Sequence, residues 1–411
     1  MNSKRHRILY VEKPPFVGGS VIGLYELVSN LDTSRYEPII LFHGPNPYRE
    51  RFQELGVQVF VLSEETPVTP PSRSRRDIAA SLSRYSKWLA RGYQTAKKAY
   101  IITQQDWPLA RRVAHLIKNE TIDLVHHNNS LPGNRSTILA ARLARVPQVC
   151  HVRMLHKFSS FERRLASSVN TFIYMSKAIE KLYHDLGIPP DKGHVVYDAF
   201  TTEPFAQTKH TATKLRAEFR LTDQDHLISN VGRLDWWKGH EYFLQAMAEV
   251  IRSQPNAKAL IVGAPDSTPS SQAYYQSLQQ LVSDLQLSNH VIFTGFRSDV
   301  PSIMAASDIV VHSSSEPEPF GRVVVEAMMA GRPVIATAAG GVLDIVEDQV
   351  TGLLVPPKNA SLMAKAIRQL LQNQERARII GQRAKQRAQQ RFSVEQHVTA
   401  IQRVYQQILT S

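Results

Sequence analysis

Cysteine is nearly absent from this sequence, and long apolar runs are absent altogether. The single cysteine, Cys150, excludes a disulfide within the chain and fits a reducing compartment. The basic start is followed by a short apolar run at residues 8–11, too short for the core of a secretory signal. No stretch approaches the roughly 18 apolar residues that a membrane-spanning helix needs. We therefore expect a cytoplasmic protein without a membrane span.

Acidic residues are scarce in the first half of the chain. Residues 1–200 carry 28 Lys and Arg against 17 Asp and Glu, whereas residues 201–411 carry 21 against 19. A basic half favours an anionic partner, such as a phospholipid surface, an anionic acceptor or a nucleic acid. No recognised nucleic-acid module accompanies the charge, so nucleic acid is not the expected partner. A solvated basic surface is the plain alternative.

The apolar residues, 43% of 411, suffice for two domains. Short apolar runs alternate with amphipathic stretches, a pattern typical of parallel sheets covered by helices. The predicted strands are 8–11, 39–42, 57–62, 122–125, 149–152, 171–175 and 194–197, then 227–231, 259–262, 291–294, 309–312, 334–337 and 353–355. We predict an N-terminal α/β domain over 1–199, a C-terminal α/β domain over 205–392 and a last helix over 393–411.

Residues 73–112 are unusually basic. Ten Lys and Arg stand there against only Asp77 and Asp106. Apolar and aromatic side chains recur at spacings of three and four, which predicts a basic amphipathic helix over about 73–102. Such a helix can lie in a membrane interface with its aromatic rings at the headgroup level. Docking of the aromatic stripe on its own domain is the interpretation we favour.

Two carboxylates, Glu318 and Glu326, stand in the stretch 313–341 with seven residues between them. Prolines before Gly321 prevent a helix there, so we predict one that begins near Gly321. Glu326 then falls among apolar neighbours, where an unpaired carboxylate is costly. A buried salt bridge or a backbone cap would explain Glu326, and so would hydrogen bonds from two vicinal hydroxyls, such as those of a ribose. The backbone N–H groups of Phe320 and Gly321 are placed to hold ligand oxygens.

Arg233 and Lys238 flank a tight loop between a predicted strand and a predicted helix. Two cations beside a helix N-terminus can neutralise a diphosphate. Arginine grips two oxygens at once, whereas lysine acts as a movable point charge. On spacing alone, a surface loop explains the pair equally well.

These motifs resemble the retaining glycosyltransferases of the E-x7-E type, which are family 4-like, group 1 enzymes with the GT-B fold. The similar segments are Glu-Pro-Phe-Gly-Arg-Val-Val-Val-Glu at 318–326, Gly-Arg-x-x-x-x-Lys-Gly at 232–239, Gly-x-Pro-Val-Ile at 331–335 and Gly-Gly at 340–341. The resemblance implies two Rossmann-like, doubly wound parallel-sheet domains that face a central cleft. It also implies that the last helix crosses back to the N-terminal domain.

The resemblance further implies a role for each matching residue. The substrate-binding residues would be Gly18, Gly19, Arg233, Lys238, Arg297, Phe320, Gly321 and Glu326, and the catalytic residues His151 and Glu318. In this scheme the loop with Gly18 and Gly19 approaches the transferred sugar and its phosphates. The segment ending at Arg297 meets the nucleotide base. His151 contacts the donor sugar, with His156 as its competitor for that position. The segment 197–199, Tyr-Asp-Ala, departs from the Asn-Gly pair of many relatives.

The expected activity is transfer of a sugar from a nucleoside-diphosphate sugar to a hydroxyl acceptor of a glycan, glycolipid or polysaccharide precursor, with retention of configuration. No acidic cluster of the Asp-x-Asp kind appears in the segments that would form the cleft, so no metal cofactor is expected. One alternative is a nucleotide-sugar epimerase of the same fold, which needs no acceptor. Another is a non-catalytic, basic protein that binds a membrane surface, which the intact loop and both glutamates disfavour.

Overall fold

The computed structural model describes residues 5–13, 18–63, 100–205 and 208–410. The chain divides into two compact units. The first comprises Met1–Tyr174, Glu180–Val196 and Val398–Ser411, and the second comprises Met175–Ile179 and Tyr197–His397. The predicted basic helix over 73–102 lies outside the described residues, apart from its last three positions.

The first unit is built on a seven-stranded parallel sheet with the order β3-β2-β1-β4-β5-β6-β7. Its strands are β1 His6–Glu12, β2 Tyr36–Phe42, β3 Gln58–Val61, β4 Leu124–Asn129, β5 Gln148–Val152, β6 Thr171–Tyr174 and β7 Gly193–Val195. Ile8 to Val11 of the central strand β1 are completely buried, as expected for a parallel strand that helices cover on both faces. The order reverses between β1 and β4, which makes this position a topological switch point.

The second unit is built on a six-stranded parallel sheet with the order β10-β9-β8-β11-β12-β13. Its strands are β8 His226–Val231, β9 Ala257–Val262, β10 Val291–Gly295, β11 Ile309–His312, β12 Val334–Thr337 and β13 Leu353–Val355. Here the order reverses between β8 and β11. Two doubly wound parallel sheets confirm the predicted fold class.

Helices separate the strands throughout the described chain. In chain order they are α1 Gly19–Ser29, α2 Arg49–Glu54, α3 Trp107–Asn119, α4 Arg135–Ala144, α5 Ser160–Ala166, α6 Lys177–Asp185, α7 Thr208–Glu218, α8 His240–Ser253, α9 Pro269–Asp284, α10 Val300–Ala306, α11 Arg322–Met329, α12 Val342–Ile345, α13 Ala360–Gln372, α14 Gln374–Arg391 and α15 Val394–Leu409. The helix predicted near the end of the chain restarts at Ser393, whose hydroxyl accepts a hydrogen bond from the Gln396 amide (3.3 Å). None of the described helices combines the length and apolarity needed to cross a bilayer.

Strand β4 is longer than the sequence pattern predicts. The sequence pattern predicts a strand over residues 122–125, whereas β4 runs from Leu124 to Asn129 and includes four polar residues. His127 is completely buried because its ring contacts the Gln148 amide oxygen (2.8 Å) and the Thr137 hydroxyl (3.1 Å). Burial lowers the pKa of His127 to about 4, so this histidine is neutral. Polar residues extend the strand because neighbouring side chains satisfy them.

Candidate active site

Two loops flank the switch point of the second sheet. Residues 232–239 follow β8, and residues 313–321 follow β11, the strand that pairs with β8. Both loops therefore leave the carboxyl edge of the sheet where its strand order reverses. Open α/β sheets bind their ligands at this place. The first loop carries Arg233 and Lys238, and the second carries Glu318.

The two loops are joined by backbone contacts that only glycine permits. Gly239 has a φ of +66°, and a Cβ built on it would lie 2.2 Å from the carbonyl oxygen of Ser313. The Ser313 hydroxyl donates to the Lys238 carbonyl (2.9 Å), and the Ser315 amide donates to the Trp237 carbonyl (2.9 Å). The backbone of Lys238 is therefore fixed against the loop that carries Glu318.

Glu318 is held by three side-chain donors. Lys238 Nζ (2.6 Å), the Ser314 hydroxyl (2.7 Å) and His312 Nε2 (3.2 Å) all contact its Oε1 atom. Burial alone would raise the pKa of Glu318, but the charge of Lys238 and the hydrogen bond from His312 outweigh burial and hold the pKa well below its usual range. Glu318 is thus an oriented carboxylate, and none of the three donors reaches its Oε2 atom.

The backbone of Glu318 is also clamped. Gly341 donates its amide to the Glu318 carbonyl (2.8 Å), and Gly340 adopts a φ of +65°. A Cβ at Gly340 would lie 2.1 Å from that same carbonyl oxygen. The Gly-Gly pair after β12 therefore allows a third loop to pack directly on the residue that the site is built around.

Phe320 and Gly321 form the turn into helix α11. Phe320 is buried, and its ring packs against the rings of Tyr197 (6.1 Å between centroids), Phe200 (6.4 Å) and Phe392 (5.7 Å). Gly321 has a φ of +114°, which strongly favours glycine, and the helix begins at the next residue, Arg322. The predicted helix start is confirmed, and the aromatic packing fixes the direction in which α11 leaves the loop.

Glu326 lies one turn into α11 and is less enclosed than its sequence neighbours indicate. Its side chain keeps 25% of its surface exposed, and its Oε1 atom lies 3.9 Å from Nε of Arg322. Burial raises the pKa of Glu326, whereas the charge of Arg322 lowers it. Arg322, on the preceding turn of the helix, supplies a cation beside Glu326. This pairing matches the salt-bridge interpretation, and the exposed quarter leaves room for the ribose interpretation.

The two arginines predicted to bind substrate both have acidic neighbours. Arg233 is 63% exposed and its guanidinium lies 2.9 Å from the Asp235 carboxylate in the same loop. Arg297 is held by Glu218 (2.6 Å) and Asp299 (2.7 Å). Arg233 therefore lies at the surface of the Lys238 loop, whereas Arg297 is engaged in a local ion-pair cluster. Their roles toward a ligand stay predictions.

The predicted site residues of the first unit lie at its own switch point or beside it. Gly18 precedes helix α1 in extended conformation, and Gly19 is the first residue of that helix. His151 is completely buried in β5, with its ring 5.4 Å from that of His126, whereas His156 is half-buried in the loop after β5. The structure therefore brings the glycines to the switch point and places His151 inside the sheet layer.

A polar network at this same edge was missed from the sequence. Glu12, at the end of β1, accepts a hydrogen bond from the Ser20 hydroxyl (2.9 Å) and another from the amide of Asn128. Arg153 Nε donates to the side-chain amide oxygen Oδ1 of Asn128 (2.8 Å). Burial raises the pKa of Glu12, and these hydrogen bonds oppose that rise. A carboxylate that directly follows four buried apolar residues was the available signal.

Comparison with known families covers nearly the whole chain. The model for "Glycosyltransferase Family 4" matches residues 17–203. The model for "Glycosyl transferases group 1" matches residues 211–387. The two matches fall on consecutive segments, and the second contains both loops around Lys238 and Glu318.

Individual proteins agree with the family matches. The chain is 25% identical over 316 residues to N-acetyl-alpha-D-glucosaminyl L-malate synthase of Bacillus anthracis, covering 74% of this chain and 80% of that protein. It is 30% identical to alpha-D-kanosaminyltransferase of Streptomyces kanamyceticus, covering 48% of this chain and 50% of that protein. The crystal structure of HepE from Anabaena in complex with UDP superposes with a TM-score of 0.80 at 25% identity, covering 98% of this chain and 100% of HepE. The chain therefore belongs to the group 1, family 4-like glycosyltransferases, enzymes of the GT-B fold that act on nucleotide sugars.

Proposed function

We propose that the chain is a retaining glycosyltransferase that transfers a hexose from a UDP-sugar to a hydroxyl acceptor. The observation that carries this proposal is the ion pair between Lys238 and Glu318 at the switch point of the second sheet. Solved structures of Anabaena HepE, 25% identical to this chain, contain UDP or UDP and glucose, which supports uracil as the base of the donor.

The donor binds to cations of the loop 232–239 and to carboxylates of the loop 313–321 and the helix that follows it. Lys238 and Arg233 neutralise the diphosphate and stabilise the charge that develops as the nucleotide departs. Oε1 of Glu318 already accepts hydrogen bonds from its three donors, so Oε2 accepts hydrogen bonds from the hydroxyls of the sugar. Glu326 accepts hydrogen bonds from the two ribose hydroxyls, and the backbone of Phe320 and Gly321 contributes to holding the transferred sugar.

The ionisation of Glu318 favours a mechanism without a protein nucleophile. A carboxylate held by three donors with a lowered pKa is a weak nucleophile and a weak base. The bond between the anomeric carbon and the phosphate oxygen breaks, and the acceptor oxygen bonds to that carbon on the same face. The acceptor proton passes to an oxygen of the departing diphosphate. The reaction needs no metal ion, because Lys238 and Arg233 supply the positive charge.

The basic first half is proposed to meet an anionic partner. A glycan, glycolipid or polysaccharide precursor with a free hydroxyl is the acceptor, and an anionic membrane surface is the second candidate partner. Sedimentation with vesicles of phosphatidylglycerol and phosphatidylcholine tests the membrane partner. Binding at low salt that disappears at high salt supports it, and no binding at low salt contradicts it.

The proposed activity is tested with the purified chain and a panel of UDP-, GDP- and ADP-sugars. A bound donor stabilises the fold by mass action, by about 2.7 kcal/mol at a hundredfold excess over Kd. We expect UDP-sugars to raise Tm and the other donors to leave it unchanged. Proton NMR of the product formed with the best donor and an acceptor panel must show the α-anomer from an α-linked donor. A β-linked product contradicts retention, and a shift with GDP-sugars alone contradicts the base.

A further inference from the structure

A completely buried carboxylate lies behind the helix that carries Glu326. Asp198 has no exposed side-chain surface and forms an ion pair with NH1 of Arg322. It belongs to the segment 197–199, noted above as a departure from the family pattern. Within the second unit this segment is anchored by the residue that follows it, Phe200, whose amide donates to the Phe392 carbonyl (3.0 Å). Asp198 is therefore a fixed negative charge.

Arg322 lies between two carboxylates. Its guanidinium contacts Asp198 on one side, and its Nε lies 3.9 Å from Glu326 on the other. The guanidinium carbon also lies 4.4 Å from the centre of the Phe200 ring, a cation–π geometry that restricts its orientation. A planar guanidinium can serve two carboxylates at once, which a lysine ammonium in this position cannot do with the same geometry.

We propose that Arg322 is a positioning residue for donor binding, shared between Asp198 and Glu326, and that Asp198 sets how strongly Arg322 acts on Glu326. The inference rests on the proposed function, since it takes Glu326 as the acceptor of the ribose hydroxyls. Arg322 keeps the Glu326 carboxylate ionised and turned toward the ligand. Asp198 draws the guanidinium away from Glu326 and adds a negative charge to its surroundings.

The contributions of Arg322 and Asp198 to the charge state of Glu326 have opposite signs, so they can be told apart. Burial and the charge of Asp198 raise the pKa of Glu326, whereas the charges of Arg322 and Lys238 lower it. An ionised carboxylate accepts hydrogen bonds from both ribose hydroxyls, whereas a protonated one loses part of this capacity. Affinity for the nucleotide should therefore decline as the pH falls through the pKa of Glu326. Removing Arg322 should move this decline to higher pH, and removing Asp198 should move it to lower pH.

The test measures UDP binding to the full-length chain by calorimetry between pH 5 and pH 8. Arg322→Gln is expected to shift the acidic midpoint of affinity upward by at least half a pH unit. Asp198→Asn, which keeps the shape of the side chain, is expected to shift it downward. Glu326→Gln should remove this midpoint, and Arg378→Gln, which removes the exposed ion pair with Glu375, is the matched control that leaves it unchanged.

A substitute variant and the wild-type chain itself keep the result decisive. If Asp198→Asn does not fold, Arg322→Lys replaces it: the retained charge should preserve the wild-type midpoint, while the lost guanidinium geometry lowers affinity at every pH. Shifts of Arg322→Gln and Asp198→Asn in the same direction, or no shift in either, overturn the inference. Absence of UDP binding to the wild-type chain overturns the proposed function instead, so the two failures are distinct.

Discussion

The ammonium of Lys238 lies 2.6 Å from Oε1 of Glu318, and the two residues come from the two loops that flank the reversal of strand order in the second sheet. Both side chains are largely enclosed, with 18% and 8% of their surfaces exposed. The ion pair thus holds the two loops together, and in the proposed mechanism both of its side chains bind the donor.

Replacing Lys238 should damage stability and activity together. In Lys238→Met the Glu318 carboxylate remains buried without its cation, and we expect a loss of about 3 kcal/mol in the free energy of unfolding. The donor also loses a charge beside its diphosphate, so kcat/KM should fall about a hundredfold or more. Urea denaturation and steady-state kinetics measure the two losses. The double variant Lys238→Met/Glu318→Gln should recover part of the stability and none of the activity; full additivity of the two stability losses would contradict the pairing.

Glu318 should make the fold sensitive to acid. Its folded pKa lies below that of an unfolded glutamate, about 4.3. The associated stability is therefore present in full above that value and is lost as the pH falls further. Urea denaturation at pH 7, 5 and 4 should show a steeper decline below pH 5 for the wild type than for Glu318→Gln. Parallel declines in the two proteins would show that Glu318 is not preferentially stabilised as the anion.

Gly340 offers a test of the clamp on the Glu318 backbone. Gly340→Ala places a Cβ against the Glu318 carbonyl and also strains a positive φ, so we expect a loss of about 3 kcal/mol together with weaker donor binding. Gly56→Ala is the matched control: its φ of +75° is similar, but no atom lies within 4 Å of the added Cβ. The control should cost only about 1 kcal/mol and keep donor affinity unchanged. Equal effects in the two variants would rule out the clamp.

The two candidate histidines should separate cleanly. If His151 orients the sugar, His151→Asn lowers kcat at least tenfold, whereas His156→Ala leaves kcat within twofold of the wild type. Because His151 is completely buried, the Tm of the His151→Asn variant must be measured alongside its kinetics. A lower Tm with wild-type kcat at a permissive temperature would assign His151 a purely structural role.

Chelation tests the proposal that no metal takes part. Activity should survive dialysis against EDTA, because the cationic side chains neutralise the diphosphate. Loss of activity that manganese restores would show a metal requirement. Magnesium and calcium, added separately to the dialysed protein, serve as the controls for a general ionic effect.

Apolar periodicity was sufficient to locate the sheets. Strands β11, β12 and β13 begin and end at the predicted residues, because buried parallel strands are continuous apolar runs. Strand β4 was cut short because His126 and His127 look like the end of a strand until their partners are known. The ring of His127 contacts Gln148 on the neighbouring strand β5. No local sequence pattern reveals such a tertiary contact.

The candidate site residues could be named from the sequence, but the contacts that support them could not. Glu318, Glu326 and Lys238 were singled out because their motifs resemble those of a known family. No pattern in the sequence singled out His312 or Ser314, although both contact Glu318. Asp198 was noticed only as a departure from the family pattern, since its partner Arg322 lies 124 positions away in the sequence.

Lys238 and Glu318 are 80 residues apart in the sequence, and they meet only because β8 and β11 are adjacent. The intervening chain forms β9, β10 and their helices, which lie on the other side of β8 from β11 in the strand order. Neither piece of a chain divided at residue 265 holds both residues. In the proposed mechanism, donor binding therefore depends on the folding of the chain between the two loops, which places β8 beside β11.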